Sequence, residues 1–574
     1  MKEKVTVEVL SNVRCRMTGA PKALLKHLDD SLAEQQKGSE WSPRHRRFGG
    51  KWDGKKHHFH RSPTFAGVGT FARGLLSRVK RLSKLKGYKV RVVDKRKGVF
   101  PPIDTSKLKP DMLIGVRMDG EYSYQLDAVK AALTGEAGVL FMATNAGKTE
   151  IATALIKVLH ERSVLFVVPK AILLKQTRER IAERLGTIPE NIGVIGGGRF
   201  EPKDITIAII NSITPARKAK SARGKKRNAI LRKYLKTVEC VFLDEGHHAK
   251  ANTWYRLMSA CSNAQYRYLM SGTPFNGDND LMVEAAAGPV LCEIRNDDLI
   301  KLGVSAKPRV RLITIDEPDL EGKDALDDES WDSVMKAGIV ENELRNRIIA
   351  REAVRYAKQG KNVLVLMRIL QQGSTIRQFI AAKKVPVEFA HGKMPGSERD
   401  QIVEWFQESN GVVLVGSNIF DEGFSVNGIN ALIVADGGKS LRAVLQKVGR
   451  SIRRKKKGAN VVDVVDFADC THHWLAKHAL ERFDIYTGEG FDVVEEDPNA
   501  KTEEAGVRGD GSKPAKAARK EAVQALPREA DGRDVIPWDA RQFALRHARL
   551  ATGQGADVLS ESEHVMRWRW RSAA

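Results

Sequence analysis

A chain of 574 residues is too long for one core and divides into about three or four domains at roughly 100 to 200 residues each. Its apolar fraction of 42% suffices for globular cores, yet no uninterrupted apolar run reaches the roughly 18 residues that argue a membrane span. With 96 Lys and Arg against 71 Asp and Glu, the net charge of +25 points to a polyanionic partner, nucleic acid first, and no membrane partner is expected.

The opening MKEKVTVEVLSNV alternates polar and apolar residues like a strand and lacks the apolar centre and cleavage signal of a secretory peptide, so a cytoplasmic protein is expected. Residues 1–110 read as a basic α+β accessory module, with strand-like VTVEVL and YKVRVVD around FARGLLSRVKRLSKL, whose apolar spacing suits an amphipathic helix. HHFH at His57, His58 and His60 reads as a solvated strand within it, not a metal site. Over 111–300 the apolar runs GVLFMA, SVLFVVP, ITIAII, CVFLDE and YRYLMSG alternate with helical segments, the pattern of a parallel sheet covered by helices.

After 301 a charged connector, EPDLEGKDALDDES, leads to a helix, and a second α/β domain to 490 carries NVLVLMR, VPVEFAH, GVVLVGS, ALIVADG and NVVDVVDF. From 491 to 574 large apolar residues thin out, as in a flexible, disordered tail. The tail ends VMRWRWRSAA, where Trp568 and Trp570 between arginines suit base stacking, docking on an acidic partner, or disorder. The cysteines Cys15, Cys240, Cys261, Cys292 and Cys470 are far apart with no CxxC pair, and read as reduced packing residues.

The chemistry begins at Thr144-Asn145-Ala146-Gly147-Lys148-Thr149, a break between a strand and a helix where backbone N–H groups and a helix N-terminus converge on phosphate. Lys148 suits the β and γ phosphates of ATP, Thr149 suits Mg²⁺, and Gly147 lets the backbone come close. The fuller pattern has glycine where Met142 stands, and helicase variants often have it where Asn145 stands; Asn is the residue that best substitutes for glycine at positive φ. Further on, VFLDEGHHAK ends a strand in Asp244, suited to Mg²⁺, and Glu245, suited to activating the attacking water. The adjacent His247 and His248 diverge and have no cysteine nearby, so zinc is not expected.

Asp244-Glu245-Gly246-His247 resembles motif II of the superfamily two helicases of the DEAD/DEAH type, and other motifs of that superfamily follow in order. Gln125 in YSYQLDAV resembles the Q motif, VVPKAILLKQT motif Ia, Ser271 to Pro274 motif III, SNIFDEGFSVNGIN motif V, and QKVGRSIRR from Gln446 motif VI. The resemblance spans roughly 115–470 and implies two tandem RecA-like domains with ATP and Mg²⁺ in the cleft between them. It further implies that Gln125 recognises adenine, that Gly423 and Gln446 belong to the nucleotide site, and that Arg450 and Arg453 act as arginine fingers. Asp421, Gly423, Ser271 and Thr273 become couplers between ATP state and nucleic-acid grip.

RRFGGKWDGKKHHF, with Trp52, Asp53 and Gly54, and downstream Gly74-Leu75-Leu76 resemble the accessory domain of phage helicases of the UvsW-like group. The implied activity is an ATP-dependent DNA helicase or translocase on branched, forked or duplex DNA in replication, recombination or repair. Partners would include other replication or recombination proteins, and the location the host cytoplasm if phage-encoded. The basic stretch around Ala216 to Lys236 either extends the DNA track or is a solvated loop. Alternatives are an RNA helicase, the motor subunit of a restriction-type complex, and a nonenzymatic ATP-switched binding protein.

Overall fold

The computed structural model describes residues 4–36, 52–216, 221–245, 251–275, 280–320, 326, 328, 330–417, 428–438 and 460–496. Along KVTVEVLS, Val5, Val7 and Val9 are buried and their neighbours are not, the period-two burial of a sheet with one face on a core. This strand, β1 (Lys4–Ser11), and β2 (Arg14–Thr18) pair antiparallel, while β3 (Ala33–Gln35) and β4 (Lys55–His57) form a separate ribbon. With β5 (Phe59–Arg61), β6 (Gly69–Ala72) and β7 (Lys89–Asp94), the five-stranded sheet runs β5-β6-β2-β1-β7. The helices Lys22–Ser31 and Leu76–Leu85 cover it with Leu24, Leu25, Leu28 and Val79.

Two sequence expectations change here. FARGLLSRVKRLSKL is helical only from Leu76; Phe71 points into the core from β6, and Arg73–Leu75 make a tight 3-10 turn. HHFH is not a solvated strand, because the backbone breaks between β4 and β5 at His58 and turns both His58 and Phe59 inward. His58 bonds Glu34 at 2.9 Å, and His57 lies between Asp29 at 2.6 Å and Asp53 at 2.8 Å; only His60 of the group is exposed.

The next sheet has eight strands: β8 (Ala137–Met142), β9 (Val164–Val168), β10 (Gly193–Gly196), β11 (Arg199–Glu201), β12 (Ile205–Ile209), β13 (Cys240–Asp244), β14 (Tyr266–Ser271) and β15 (Val290–Ile294). Their order is β11-β10-β12-β9-β13-β14-β8-β15, parallel except for the β10–β11 hairpin. Strand β9 is buried at every position, since helices cover both faces: Val164, Phe166 and Val168 face one apolar cluster, Leu165 and Val167 the other.

A second parallel sheet, β18-β19-β17-β20-β21-β16-β22, is built from β16 (Lys307–Ile315), β17 (Val363–Leu366), β18 (Val387–Ala390), β19 (Val413–Gly416), β20 (Ala431–Val434), β21 (Val461–Asp469) and β22 (Asp492–Glu496). Strand β16 stands ahead of the charged connector, where no strand is expected from the apolar runs, because Arg309 and Arg311 alternate with buried Val310 and Leu312. Strand β22 pairs parallel with β16 and takes up the first residues of the segment read as tail. Parallel sheets flanked by helices, two in tandem behind an α+β module, are the expected tandem RecA-like architecture.

The chain forms two compact units, the first built on Met1–Pro308 and the second holding most of the described residues from Arg309 on. In the second, a buried ionic network braces the strand ends. Arg345 meets Asp469 at 2.6 Å and the Ala435 carbonyl at 2.8 Å. Arg482 meets Asp466 at 2.9 Å and the Gly437 carbonyl at 3.1 Å, and the Tyr486 hydroxyl donates to Asp466 at 2.8 Å.

Candidate active site

Strands β13, β14 and β8 are neighbours and parallel, so their C-terminal ends open on one edge of the sheet, the edge where α/β proteins bind ligands. Three segments far apart in sequence meet there. From β8 comes Thr144–Thr149, from β13 Asp244 and Glu245, and from β14 Ser271 to Thr273. A hollow between them is lined by Ala143, Thr144, Lys148, Glu245, Gly272, Thr273 and Asn296.

The loop has the backbone its sequence calls for. Asn145 takes φ +71°, and Gly147 takes φ +79° as the residue that starts the helix Lys148–Val158. Both are left-handed values that asparagine and glycine accept at the least cost. Gly147 has a second reason to lack a side chain, because a Cβ would stand 2.3 Å from the Gln125 amide nitrogen. That amide is buried and donates to the Ala146 carbonyl at 3.3 Å, so Gln125 braces the loop from behind. Its Oε1 is buried without a hydrogen-bond partner among the described residues.

Lys148 Nζ lies 2.9 Å from Glu245 Oε1, joining the loop to the end of β13. The Glu245 N–H donates to Asp244 Oδ1 at 3.0 Å, and Glu245 itself has φ +44°, a strained value for a non-glycine residue. Burial, then the Glu245 carboxylate, push the Asp244 carboxyl up to about 7, with Lys148 opposing. Two adjacent carboxylates and one ammonium thus leave a surplus of negative charge, the electrostatic setting of a divalent cation. Ser271 is fully buried, and its hydroxyl accepts from the Thr273 N–H at 3.1 Å, shaping the turn over the hollow.

Of the residues picked out from sequence, Gln125, Thr144 to Thr149, Asp244, Glu245, Ser271 and Thr273 come together at this edge. Asp421, Gly423, Gln446, Arg450 and Arg453 lie outside the described residues, as do His247, His248, Trp568 and Trp570. Asn296, buried and lining the hollow, was not anticipated; the signal available was a polar Arg-Asn-Asp-Asp directly after β15. Trp52 closes a turn, its indole N–H donating to the Lys55 carbonyl at 3.0 Å.

Residues 120–276 match a family model described as type III restriction enzyme, res subunit, and residues 345–455 match one described as helicase conserved C-terminal domain. The chain is 23% identical over 496 residues to the ATP-dependent DNA helicase uvsW of Enterobacteria phage T4, covering 81% of this chain and 94% of that protein. It is 26% identical over 373 residues to the DNA 3'-5' translocase XPB2 of Sulfurisphaera tokodaii, covering 60% of this chain and 80% of that protein. The crystal structure of T4 UvsW aligns over 87% of this chain and 99% of that one at 20% identity, with a TM-score of 0.41. Matched in succession by a restriction-subunit model and a helicase C-terminal model, and similar along nearly the whole of the phage relative, the chain is an ATP-dependent enzyme of helicase type, similar to the UvsW-like group of superfamily two.

Proposed function

We propose that the protein is a DNA helicase or duplex translocase that couples ATP hydrolysis to unwinding or branch migration of forked and branched DNA. The observation that carries this reading is the Lys148–Glu245 pair at 2.9 Å, which brings the phosphate loop and the Asp-Glu box into one reacting site. The N–H groups of the loop and Lys148 would hold the phosphates, Thr149 and Asp244 the Mg²⁺, and Gln125 Oε1 would accept from the adenine amine. Bound Mg·ATP supplies the transferable phosphoryl group and the charge that neutralises the carboxylates. Lys148 then turns its ammonium toward phosphate, and Glu245, relieved of that pair, accepts a proton from the attacking water. Arg450 and Arg453 are the proposed fingers that stabilise transferring charge.

Two basic faces support DNA as the partner. The helix Ala222–Leu235 exposes Arg223, Lys225, Lys226, Arg227, Arg232 and Lys233, with no acidic residue in its length. The accessory helix Leu76–Leu85 exposes Lys80, Arg81 and Lys84. Such faces bind backbone phosphate without reading bases. The phage and archaeal relatives are named for DNA, which supports DNA over RNA as the substrate.

The test is steady-state ATPase of Lys148→Ala and Glu245→Gln chains with forked DNA. Both lose turnover while retaining native thermal unfolding; a fully active Glu245→Gln enzyme removes the proposed base. The match of residues 120–276 to a restriction-subunit model favours a second reading, the motor of a restriction-type complex. Copurification with a nuclease subunit would select it.

A further inference from the structure

The accessory module shares a wall with the ATP-binding domain, and that wall is made of the helices that follow the site's own segments. After Asp244 and Glu245 the next described helix is Ala251–Ala260; after Ser271 to Thr273 it is Asp280–Ala287. The second of these is apolar on two sides. Val283, Ala286 and Ala287 belong to the core of the ATP-binding domain, whereas Ala285, with Leu281 packed against it, belongs to the accessory core that holds Val5, Leu24 and Leu75.

The polar contacts are as specific as the apolar ones. At the start of the helix the Leu281 N–H donates to Glu34 Oε1 at 2.5 Å, and Glu34 Oε2 is held by His58 at 2.9 Å. One turn on, Glu284 receives Arg78 Nε at 2.7 Å, with side-chain exposures of 16% for Arg78 and 11% for Glu284. Between them Gly74 comes so close that a Cβ would stand 2.0 Å from the Glu284 carbonyl oxygen. Lys56 reaches Asn252 Oδ1 at 3.1 Å and lies over the Tyr255 ring, gripping the first helix as well. A domain tethered only to present basic residues to DNA needs none of this. Polar, loosely packed contacts are the default between domains of one chain, and here a part-buried ion pair and an excluded methyl group fix the seating.

We infer that the accessory domain is a coupling element of the motor, with Glu34, Gly74 and Arg78 as positioning residues that tie it to the helix leaving the Ser271–Thr273 segment. The inference rests on the reading of the chain as a DNA-stimulated ATPase. Movement of that segment with nucleotide state reaches the accessory domain through the helix Asp280–Ala287, and DNA on the accessory domain biases the segment in return, since linkage is reciprocal.

The experiment compares wild type with Arg78→Gln, a mild uncoupler, and Gly74→Ala, a severe one. It measures kcat and KM for ATP without DNA and at saturating forked duplex, the Kd for that DNA, and thermal unfolding. Expected for Arg78→Gln is DNA-free kcat, ATP KM and DNA Kd within about twofold of wild type, with DNA-stimulated kcat reduced about fivefold or more. The swap Arg78→Glu with Glu284→Arg then restores part of the stimulation. Full stimulation in a folded Arg78→Gln chain overturns the inference, and so does an equal loss of DNA-free and DNA-stimulated turnover, which marks a merely structural contact. A wild type that hydrolyses ATP but ignores DNA overturns the underlying reading and the coupling with it.

Discussion

At Gly147 the reason for the residue can be stated twice over, from its φ of +79° and from the Gln125 amide nitrogen 2.3 Å from where a Cβ would be. A Gly147→Ala change must therefore both strain the backbone and push Gln125 off the loop. The expected result is loss of ATP binding, read as a rise in Kd for a fluorescent ATP analogue by about tenfold or more, from roughly 1 to 3 kcal/mol of strain. Unchanged affinity would mean that the loop does not cradle phosphate. The buried ions of the second unit give a different residue-scale prediction. Asp466→Ala takes from the fully buried guanidinium of Arg482 its nearer carboxylate, leaving Asp469 at 3.8 Å, and costs up to about 3 to 5 kcal/mol. Removing the exposed pair Arg347–Glu343 costs about 0 to 1 kcal/mol. Chemical denaturation of the two variants measures the contrast, and similar losses would contradict it. Asn145 at positive φ was readable from TNAGKT alone, because one residue's steric preference suffices. Asn296 was not, because its place in the hollow depends on β15 lying beside β8, a pairing no local pattern encodes.

At the level of elements, the legible ones were those whose apolar runs are continuous. Strands β8, β9, β12, β13 and β14 are buried on both faces, and their sequences say so. Strand β16 was hidden because half of its first residues are charged, and β22 because it lies beyond the point where composition turns polar. The HHFH segment misled for a related reason: hydrophilic composition suggested solvent, whereas carboxylates of Asp29, Asp53 and Glu34 draw two of its imidazoles inward. Burial pulls the His57 pKa down, but hydrogen bonds to Asp53 and Asp29 outweigh it and leave it above the usual 6.5. A raised value means that charged His57 stabilises the folded state fully below about pH 6.5, and that this contribution fades as pH rises through the folded value. Wild type should therefore exceed His57→Gln in Tm at pH 6 by more than at pH 8.5; a constant gap would contradict the pairing. For the basic helix Ala222–Leu235, neutralising Lys225, Lys226, Arg232 and Lys233 should flatten the salt dependence of DNA affinity. Every DNA phosphate that the variant no longer neutralises makes the log–log slope shallower by about 0.9. An unchanged slope would take this helix out of the DNA track.

Over the whole molecule, the order of motifs was more informative than any one of them. TNAGKT keeps Gly147 but has Met142 and Asn145 where fuller phosphate loops have glycine, and Asp-Glu pairs at strand ends are common on surfaces. Parallel strands β8 and β13, with only β14 between them, nevertheless bring both to one edge, as the α/β alternation required. The wall between accessory and ATP-binding domains was not legible, since Gly74 and Glu284 are far apart in sequence and only the fold sets them together. ATP turnover at the Lys148–Glu245 site, driven by DNA, is the claim on which the proposed function and the coupling both depend. Steady-state ATPase of the full chain should be compared with single-stranded, duplex, forked and four-way DNA and with RNA, at two salt concentrations. Strongest stimulation by branched DNA, weakening at the higher salt, is the predicted result; stimulation by RNA alone, or no turnover with any of them, would contradict it.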